Sequence, residues 1–493
     1  MFAVSRVAYR LRGIRFDEGS TFQSFQVIDD HLLRHDFLSS VWHFHAQPPL
    51  FNILIGVLMR LPGPEYVWYA SVYLALGVAL TASLFLLQRE LGVPRVFAAV
   101  VTTVFVVSPA AVLYENYFFY TYPVAVALCA AALFLVRFVR TARTRDGVFA
   151  FLLLASVALV RASYHLVWLV AIVAIVAVAL GRTQWRRAIV AGILPVLLVG
   201  GWYVKQYEEF GAFASSTWLG MSLAKVAFFD VPKPQIAHLV RAGTLSKHAL
   251  EPGFERANQY GYAHDGTSGI KVLDERTKAN GQPNFGFDGY RAVSTQAQKD
   301  AIAFIKERPG HYARNVSYSL RFFVLPGADY PYLTANRNHV LGIEQAYDRV
   351  LFWQQSAYSA FLPRPYPNLA RFGPQAKNVS WGLVLMYLIA LLAGPVVGFT
   401  YWRRRRHRSL SDATDGGVVD RASVVVLAVI SLTLAYAVLV DNLFELGENN
   451  RFRFETDPLV CAIVAFACTG AYRWLRTRLD GRADQRRPQV PAT

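Results

Sequence analysis

Residues Trp381–Arg408 read WGLVLMYLIALLAGPVVGFTYWRRRRHR. The first part is apolar and uncharged, and it is long enough to cross the hydrocarbon core of a bilayer, which takes about 20 residues. A dense group of arginines follows at once, and such groups stay on the cytoplasmic side of a membrane. This stretch therefore predicts a membrane-spanning helix together with its orientation.

Similar apolar runs recur along the whole chain of 493 residues, of which 54% are apolar and only 17% are charged. We predict nine membrane-spanning helices: Tyr66–Leu87, Val96–Leu113, Tyr117–Leu135, Val148–Val160, Tyr164–Leu180, Ala188–Val204, Trp381–Trp402, Ser423–Val440 and Leu459–Trp474. Between Val148 and Leu180 the run is interrupted by Arg161, Ser163 and His165, which predicts two short helices that meet near a membrane surface. A soluble protein can bury one such run in its core but not nine, so the sequence predicts an all-α polytopic membrane protein.

The formal net charge of +17 is concentrated in a few of the segments between these spans. The segments rich in arginine are Arg89–Arg95, Arg137–Arg145, Arg182–Arg187, Arg403–Arg421 and the tail from Arg473. If the nine spans alternate in direction, all five segments lie on one side, which is the positive-inside distribution with a cytoplasmic C-terminus. The basic charge thus indicates orientation and gives no support for nucleic-acid binding. The three cysteines all lie within apolar runs, which excludes a disulfide framework and a CxxC-type zinc site.

This topology divides the chain into membrane and external parts. The predicted parts are an incomplete or truncated first helix (1–14), a first external loop with juxtamembrane helices (15–65), a core of six spans (66–205), an external domain (206–380), three further spans (381–476) and a cytoplasmic basic tail (477–493). The apolar segment Pro49–Leu61 is too short to span, and we predict a juxtamembrane helix there. Met1–Ile14 is too polar to span and lacks the apolar core of a secretory signal. We expect a start codon further upstream, and the alternative is a remnant helix that lies at the membrane interface.

Two neighbouring acids in the first external loop, Asp17 and Glu18, are candidates for a catalytic base. Near a membrane surface the low dielectric can raise the pKa of a carboxylate towards the range useful for deprotonating a hydroxyl. The alternative is that the pair caps the amphipathic helix predicted to follow. Glu115, in SPAAVLYENYFFYTYP (Ser108–Pro123), faces the same compartment in the predicted topology and is a second acid candidate.

Four basic residues lie at the outer membrane boundary, where the positive-inside pattern does not place them: Arg161, Lys205, Arg451 and Arg453. Each one alone can extend its charge to the headgroups while its stem stays in the apolar region. Several that converge on one outer pocket would suit a phosphate, which arginine binds through two parallel hydrogen bonds. Acids close in sequence, such as Glu448 and Asp457, favour a third interpretation, a structural ion network.

The segment HFHAQPPLFNIL (His43–Leu54) contributes the remaining polar candidates. We assign His43, His45 and Gln47 to an acceptor or donor pocket. The two histidines are spaced as metal ligands on a strand would be, but the segment has the pattern of a loop or helix, so we predict no metal site. The sequence assigns no cofactor, and participation of a divalent metal ion stays open. No Walker, GxGxxG or HExxH motif is present.

Taken in order, these motifs resemble a known family. They are the Asp17-Glu18 pair, PPLFN (Pro48–Asn52), SP…YENYFFYTYP, LVRASYH (Leu159–His165), WYVKQYEEFGAF (Trp202–Phe213) and ENNRFRFETDP (Glu448–Pro458). The series resembles the integral-membrane glycosyltransferases of the GT-C fold, in particular the glycosyltransferase 39-like group of protein mannosyltransferases and the aminoarabinose transferase. The resemblance spans about Arg15 to Trp474, but residues 206–380 match nothing in it.

The resemblance implies a GT-C-like helix bundle with juxtamembrane helices and a mixed external loop domain. It implies a polyprenyl-phosphate-linked sugar donor, an envelope glycan, lipid or protein acceptor, and an active site on the outer face of the cytoplasmic membrane. Asp17, with Glu18 beside it, then takes the role of catalytic base, and Arg161, Lys205, Arg451 and Arg453 take the role of lipid-phosphate ligands. The first helix departs from the family because it is short.

Two other classes remain as alternatives. The first is a transporter or flippase of a lipid-linked precursor, and the second is a non-catalytic assembly protein that kept the fold. Transporters commonly show internal repeats and charges near the middle of the bilayer. This sequence shows no evident repeat, and its unusual charges lie near one surface, which favours the enzyme.

Overall fold

A computed structural model of the protein describes residues 1–19, 21–251, 253–353, 380–407 and 420–485. Within these ranges the chain is almost entirely helical and forms no β-strand, with two isolated bridges between extended residues. The predicted basic segment 403–421 and the predicted tail 477–493 are described only in part, because residues 408–419 and 486–493 lie outside these ranges.

The first part of the chain holds eleven α-helices. They are α1 (Phe2–Leu11), α2 (Asp30–His35), α3 (Phe37–His43), α4 (Leu50–Leu58), α5 (Glu65–Glu90), α6 (Arg95–Val106), α7 (Pro109–Glu115), α8 (Thr121–Thr141), α9 (Thr144–Val160), α10 (Leu166–Leu180) and α11 (Trp185–Phe210). A shorter set follows: α12 (Leu219–Ala227), α13 (Lys233–Arg241), α14 (Lys271–Asp274), α15 (Gly289–Glu307), α16 (Pro309–Phe323), α17 (Thr334–Arg337) and α18 (Leu341–Leu351). The last helices in the described residues are α19 (Trp381–His407), α20 (Arg421–Leu443), α21 (Asn449–Phe454) and α22 (Asp457–Gln485).

Six described helices are long and apolar enough to cross a membrane, namely α5, α8, α11, α19, α20 and α22. Helices α6 and α7 meet at a bend of 60° and together form a seventh candidate span, while α10 is a shorter apolar helix. Each predicted span overlaps one helix or, for Val96–Leu113, the bent pair. Helices α9 and α10, at the predicted spans Val148–Val160 and Tyr164–Leu180, are not among these candidates, so the described residues offer six or seven spans where the sequence predicts nine. The prediction of an all-α polytopic membrane protein is confirmed.

Helix α8 lies at the centre of the bundle and packs against α5, α9 and α20. Alanines dominate its middle (TYPVAVALCAAALFLV), and small residues let neighbouring helices approach closely in a membrane. The interruption predicted near Arg161 is present, because α9 ends at Val160 and α10 begins at Leu166. Helix α4, of nine residues, occupies the segment for which we predict a juxtamembrane helix.

A buried lysine ties the segment predicted to be external to the first loop. The Lys278 ammonium donates to the backbone carbonyls of Ser24, at 2.8 Å, and Val27, at 2.6 Å. Next to it, the Asp29 carboxylate accepts from the Ala279 N–H at 2.5 Å. These bonds hold the loop around Asp17 against the region between α14 and α15.

Candidate functional site

Asp17 is held by main-chain hydrogen bonds to a segment about 100 residues later in the chain. Its N–H donates to the Asn116 carbonyl at 2.7 Å, and its carbonyl accepts from the Phe118 N–H at 2.9 Å. Thr21 adds a side-chain bond to the Phe118 carbonyl. The Asp17 side chain is half-buried. Two motifs that the sequence treats separately, Asp17-Glu18 and YENYFFYTYP, therefore form one structural unit.

Glu18 has the more perturbed environment of the two acids. Burial raises the pKa of its carboxyl, and the nearby charges of Glu65 and Asp17 raise it further. A raised pKa brings a carboxylate closer to the range in which it can accept a proton from a hydroxyl group. Neither acid caps α2, where Asp29 accepts from the His31 N–H at 3.1 Å instead.

Arg451 lies on α21, and its side chain is fully buried beside the same segment. Its guanidinium donates to Thr121 at 3.1 Å, to the Tyr120 hydroxyl at 3.3 Å and to Glu448 at 2.5 Å. The charge also lies over the Tyr330 ring, 5.4 Å from its centroid. Aromatic faces attract a desolvated cation, so this guanidinium is fixed in position before any ligand arrives.

Tyr117 connects the acid to the arginine. Its backbone lies beside Asp17, and its ring packs against Tyr330 with 6.2 Å between the centroids. Because Tyr330 also contacts Arg451, residues 116–121 hold the predicted base at one end and a buried cation at the other.

Arg161 and Arg453 extend the cationic region. The Arg161 guanidinium lies 3.9 Å from the centroid of the Phe452 ring. Phe452 is the residue between Arg451 and Arg453 in the sequence of α21. It forms ion pairs with Asp441, at 2.7 Å, and with Glu455. Arg453 forms a looser pair with Asp457 at 3.3 Å. Arg161 and Arg451 thus lie against the same Phe452 ring, and Arg453 follows two residues later on α21. Each of the three has an acidic partner, as the ion-network alternative requires.

Several polar atoms in this cluster have no hydrogen-bond partner within the described part of the chain. They include Nε and Nη1 of Arg453 and Nε of Arg451. A buried donor without a partner costs about 1–3 kcal/mol. A ligand with several oxygen acceptors would relieve that cost, so the two arginines of α21 retain capacity for an anion despite their ion pairs.

Lys205, the fourth predicted phosphate ligand, sits in a different environment. Its ammonium lies 4.6 Å from the centroid of Phe210 and 4.8 Å from that of Trp202, and it pairs with Glu209 at 3.1 Å. Among the described residues no hydrogen bond or ion pair joins it to the arginine cluster. This aromatic surrounding is typical of a cation anchored at the membrane boundary.

Glu115, the second acid candidate, is fully engaged by other side chains. Arg6 of α1 binds both carboxylate oxygens, at 2.7 Å and 2.5 Å, and the Tyr122 hydroxyl donates to the carboxylate at 2.9 Å. The carboxylate rests against Gly77 of α5, where a Cβ would lie 2.4 Å from Glu115 Oε2. This geometry favours a structural role for Glu115.

Replacing Gly77 by alanine is expected to destabilise the protein by about 1–3 kcal/mol, because the added methyl group overlaps Glu115 and Phe2. The apparent melting temperature in detergent, at a fixed scan rate, measures the loss. Gly201→Ala in α11 is the matched control, since a Cβ there meets no atom within 4 Å. Equal melting temperatures for the two variants would contradict the tight contact at Gly77.

His45 joins the first external loop to the chain after α11. It is completely buried, its Nδ1 lies 2.7 Å from the Thr217 hydroxyl oxygen, and its carbonyl accepts from the Thr217 N–H at 3.2 Å. Burial, together with the charge of Arg291, lowers the pKa of His45 to about 3. The imidazole is therefore neutral near pH 7 and cannot act there as a cationic ligand.

Acid should destabilise the protein through His45. Its pKa is depressed on folding from about 6.5 to about 3, so its contribution is complete above pH 6.5 and is lost as pH falls towards 3. We expect the melting temperature of the wild type to fall between about pH 6.5 and pH 4, and that of His45→Gln to fall less over the same range. Identical pH dependences for the two proteins would contradict a buried neutral imidazole.

The other two members of the predicted pocket are less constrained. His43 Nδ1 lies 2.9 Å from the Ser39 carbonyl oxygen of its own helix, and Gln47 is half-buried. The described residues contain no group of three or more His, Cys, Asp or Glu side chains placed to hold a metal ion. His43, His45 and Gln47 stay predictions as pocket residues.

Sequence reasoning found the acids close in sequence, Glu448 and Asp457, but missed the partners that are distant in the chain. Asp441 could have been found, since an acid at the end of an apolar span (VLVDNLF) is a functional suspect by itself. Arg6 and Tyr330 carried no comparable pattern, because their importance depends on contacts with Glu115 and Arg451 across more than 100 residues.

Comparisons with known proteins add one structural likeness. No family model and no curated protein matches the chain. Among solved structures, the chain is similar to ArnT from Cupriavidus metallidurans bound to undecaprenyl phosphate, with a TM-score of 0.33 and 15% sequence identity, over 90% of this chain and 76% of that one. The candidate site is interpreted from its own residues and contacts.

Proposed function

We propose that the protein is an integral-membrane glycosyltransferase that moves a sugar from a polyprenyl-phosphate donor to an acceptor at the outer face of the cytoplasmic membrane. The observation that carries the proposal is the arrangement around residues 116–121. That segment fixes a half-buried carboxylate, Asp17, at one end and a buried guanidinium, Arg451, at the other. The motif resemblance described above supports the same reaction.

In this proposal Asp17 accepts the proton of an acceptor hydroxyl, and Glu18 beside it supports the same step. The hydroxyl oxygen then forms a bond to the anomeric carbon of the sugar, while the bond from that carbon to the phosphate oxygen breaks. The lipid phosphate leaves with the bonding electrons. Fixed donors aimed at the charge that develops on a leaving group contribute more than flexible ones, because they need no reorganisation during the reaction.

Arg451 and Arg453 are the proposed phosphate ligands with the strongest support. Both are buried, and both retain N–H groups without a hydrogen-bond partner among the residues that the structure describes. Arg161 contributes through its position against Phe452, although its two carboxylate partners leave it less free. For Lys205 we propose a boundary position near the headgroups. The acceptor would be an envelope glycan, a glycolipid or a protein.

Lipid and glycan analysis of a deletion strain tests the proposal. We expect one polyprenyl-phosphate sugar to accumulate and one envelope decoration to disappear, and a plasmid copy of the wild-type chain to reverse both changes. A copy carrying Arg476→Gln, which removes an exposed ion pair with Asp480 near the end of α22, is the matched control and should complement fully. Unchanged glycans together with altered transport of a precursor would overturn the enzyme and favour the flippase.

A further inference from the structure

Helix α1 has its polar and apolar sides reversed relative to a helix on the surface of a soluble protein. Its outward side carries Val4, Val7 and Leu11, which are 70%, 60% and 83% exposed. Its inward side carries Arg6 and Tyr9, whose polar groups bond to the protein. An amphipathic helix in water turns its apolar stripe to the core of the protein. The orientation of α1 would be unfavourable in water, because it exposes the apolar side chains.

The polar side of α1 complements the break between α6 and α7. The Val106 carbonyl accepts from Arg6 Nη1 at 2.9 Å, and the Val107 carbonyl accepts from the Tyr9 hydroxyl at 2.8 Å. Carbonyls at the end of a helix lack partners in that helix, and within a bilayer no water satisfies them. Helices α6 and α7 together form a candidate span, and the break lies within it. Helix α1 therefore supplies these hydrogen bonds at a position inside the span.

The apolar side of α1 continues the membrane-facing surface of its neighbours. The Phe2 ring lies against Gly77 of α5, one residue before Val78 on that helix. Val78 is 53% exposed, and Val100 of α6 is 52% exposed, as expected for side chains that face lipid. Helix α1 thus packs against two helices that themselves expose apolar side chains.

We propose that α1 lies within the bilayer and that lipid acyl chains cover the face formed by Val4, Val7 and Leu11. Its last exposed residues, Arg10 and Arg12, extend towards the headgroups, since long basic side chains can place their charge at the interface. The chain passes from α1 to Asp17 in six residues. The bilayer thereby helps to hold the first external loop in place, whatever reaction the site performs.

Photolabelling of the wild-type protein in lipid nanodiscs is the first test. The nanodiscs contain phosphatidylcholine with a diazirine in one acyl chain. Residues 1–11 are expected to carry label at a level comparable to the α6 peptide, and the peptide of α15, in the external segment, is the unlabelled control. Absence of label from α1 would overturn the proposal.

Cysteine accessibility is the second test, in a background in which Cys129, Cys461 and Cys468 are alanine. We expect Val7→Cys and Leu11→Cys to react with a charged maleimide roughly tenfold or more slowly than Lys299→Cys on α15, because a thiol in hydrocarbon ionises poorly and does not meet the reagent. Val100→Cys is the control for a lipid-facing position. Fast alkylation would mean that water covers α1. Slow alkylation without lipid label would mean that protein, such as a second copy, covers it, and either result overturns the proposal.

Discussion

Asp17→Asn is expected to lower the rate of sugar transfer by roughly 10²–10⁴-fold, the range that general base catalysis contributes. The amide that replaces the carboxylate has nearly the same shape but does not accept a proton from a hydroxyl at neutral pH. Transfer from a polyprenyl-phosphate sugar to an acceptor by purified protein, at saturating donor, measures the change. The donor is the one that accumulates in the deletion strain.

The variant should fold as the wild type does. The two bonds that fix residue 17 to residues 116 and 118 use its main-chain N–H and carbonyl, and both remain after the substitution. The apparent melting temperature provides the check. Loss of transfer at an unchanged melting temperature separates catalysis from folding, and it also argues against a non-catalytic assembly protein.

Glu18→Gln is the matched control, because it removes the neighbouring carboxylate with the same conservative change. We expect it to reduce transfer less than Asp17→Asn does. If Glu18, whose pKa is already raised by burial and by Glu65, takes the proton instead, the order of the two variants reverses. Full activity in both variants would remove the catalytic proposal.

The spans could be predicted from the sequence because the requirement behind them is local. A helix in lipid makes its backbone hydrogen bonds within itself and needs only a sufficient apolar length. Trp381–Trp402 can therefore be recognised as a span from its own residues, without knowledge of its neighbours. The same reasoning placed the break at Arg161, since a charged residue is costly in the middle of a span. The 60° bend between α6 and α7 also has a local signal, because Ser108 caps α7 and Pro109 occupies its first turn. Local sequence could not show the bonds from Arg6 and Tyr9 to that break, because they come from another helix.

The candidate site was predictable only as a set of residue types. Basic residues at the outer boundary and the acids close to them in sequence are visible, but the pairing of Arg161 is not, because its partner Asp441 is 280 residues away. Both the phosphate site and the ion network therefore remained open after sequence analysis. The structure shows the ion pairs around α21, where Glu448 is the partner of Arg451. The phosphate site stays a proposal, supported by the Arg451 Nε, which has no hydrogen-bond partner among the described residues.

Arg161→Met is expected to destabilise the protein by about 3–5 kcal/mol, because it leaves two buried carboxylates without their shared cation. The side chains of Asp441 and Glu455 are 2% and 0% exposed. Burial raises the pKa of Glu455 to about 7, against the opposing charge of Arg161. Without Arg161 that carboxyl should hold its proton to still higher pH.

The sign of the pH dependence follows from that shift. A group whose pKa is raised on folding stabilises the folded state below its unfolded pKa, and this contribution is lost as pH rises through the folded value. The gap in melting temperature between Arg161→Met and the wild type should therefore widen between about pH 5.5 and pH 8.5. Scans at one fixed rate in the same detergent measure it, since membrane proteins commonly unfold irreversibly.

A triple variant separates a structural Arg161 from a phosphate-binding one. Arg161→Met with Asp441→Leu and Glu455→Met leaves no buried charge at this network, and replacing a buried ion pair or triad by hydrophobic residues of similar volume is often neutral or stabilising. If Arg161 serves only the ion network, the triple variant recovers both the melting temperature and the transfer activity. If Arg161 also holds the phosphate, the melting temperature recovers while added polyprenyl phosphate stabilises the triple variant less than the wild type. If Arg161→Met alone is as stable as the wild type at pH 8.5, the buried ion pairs of Arg161 with Asp441 and Glu455 are contradicted. Removing the cation that compensates two buried carboxylates must lower the stability.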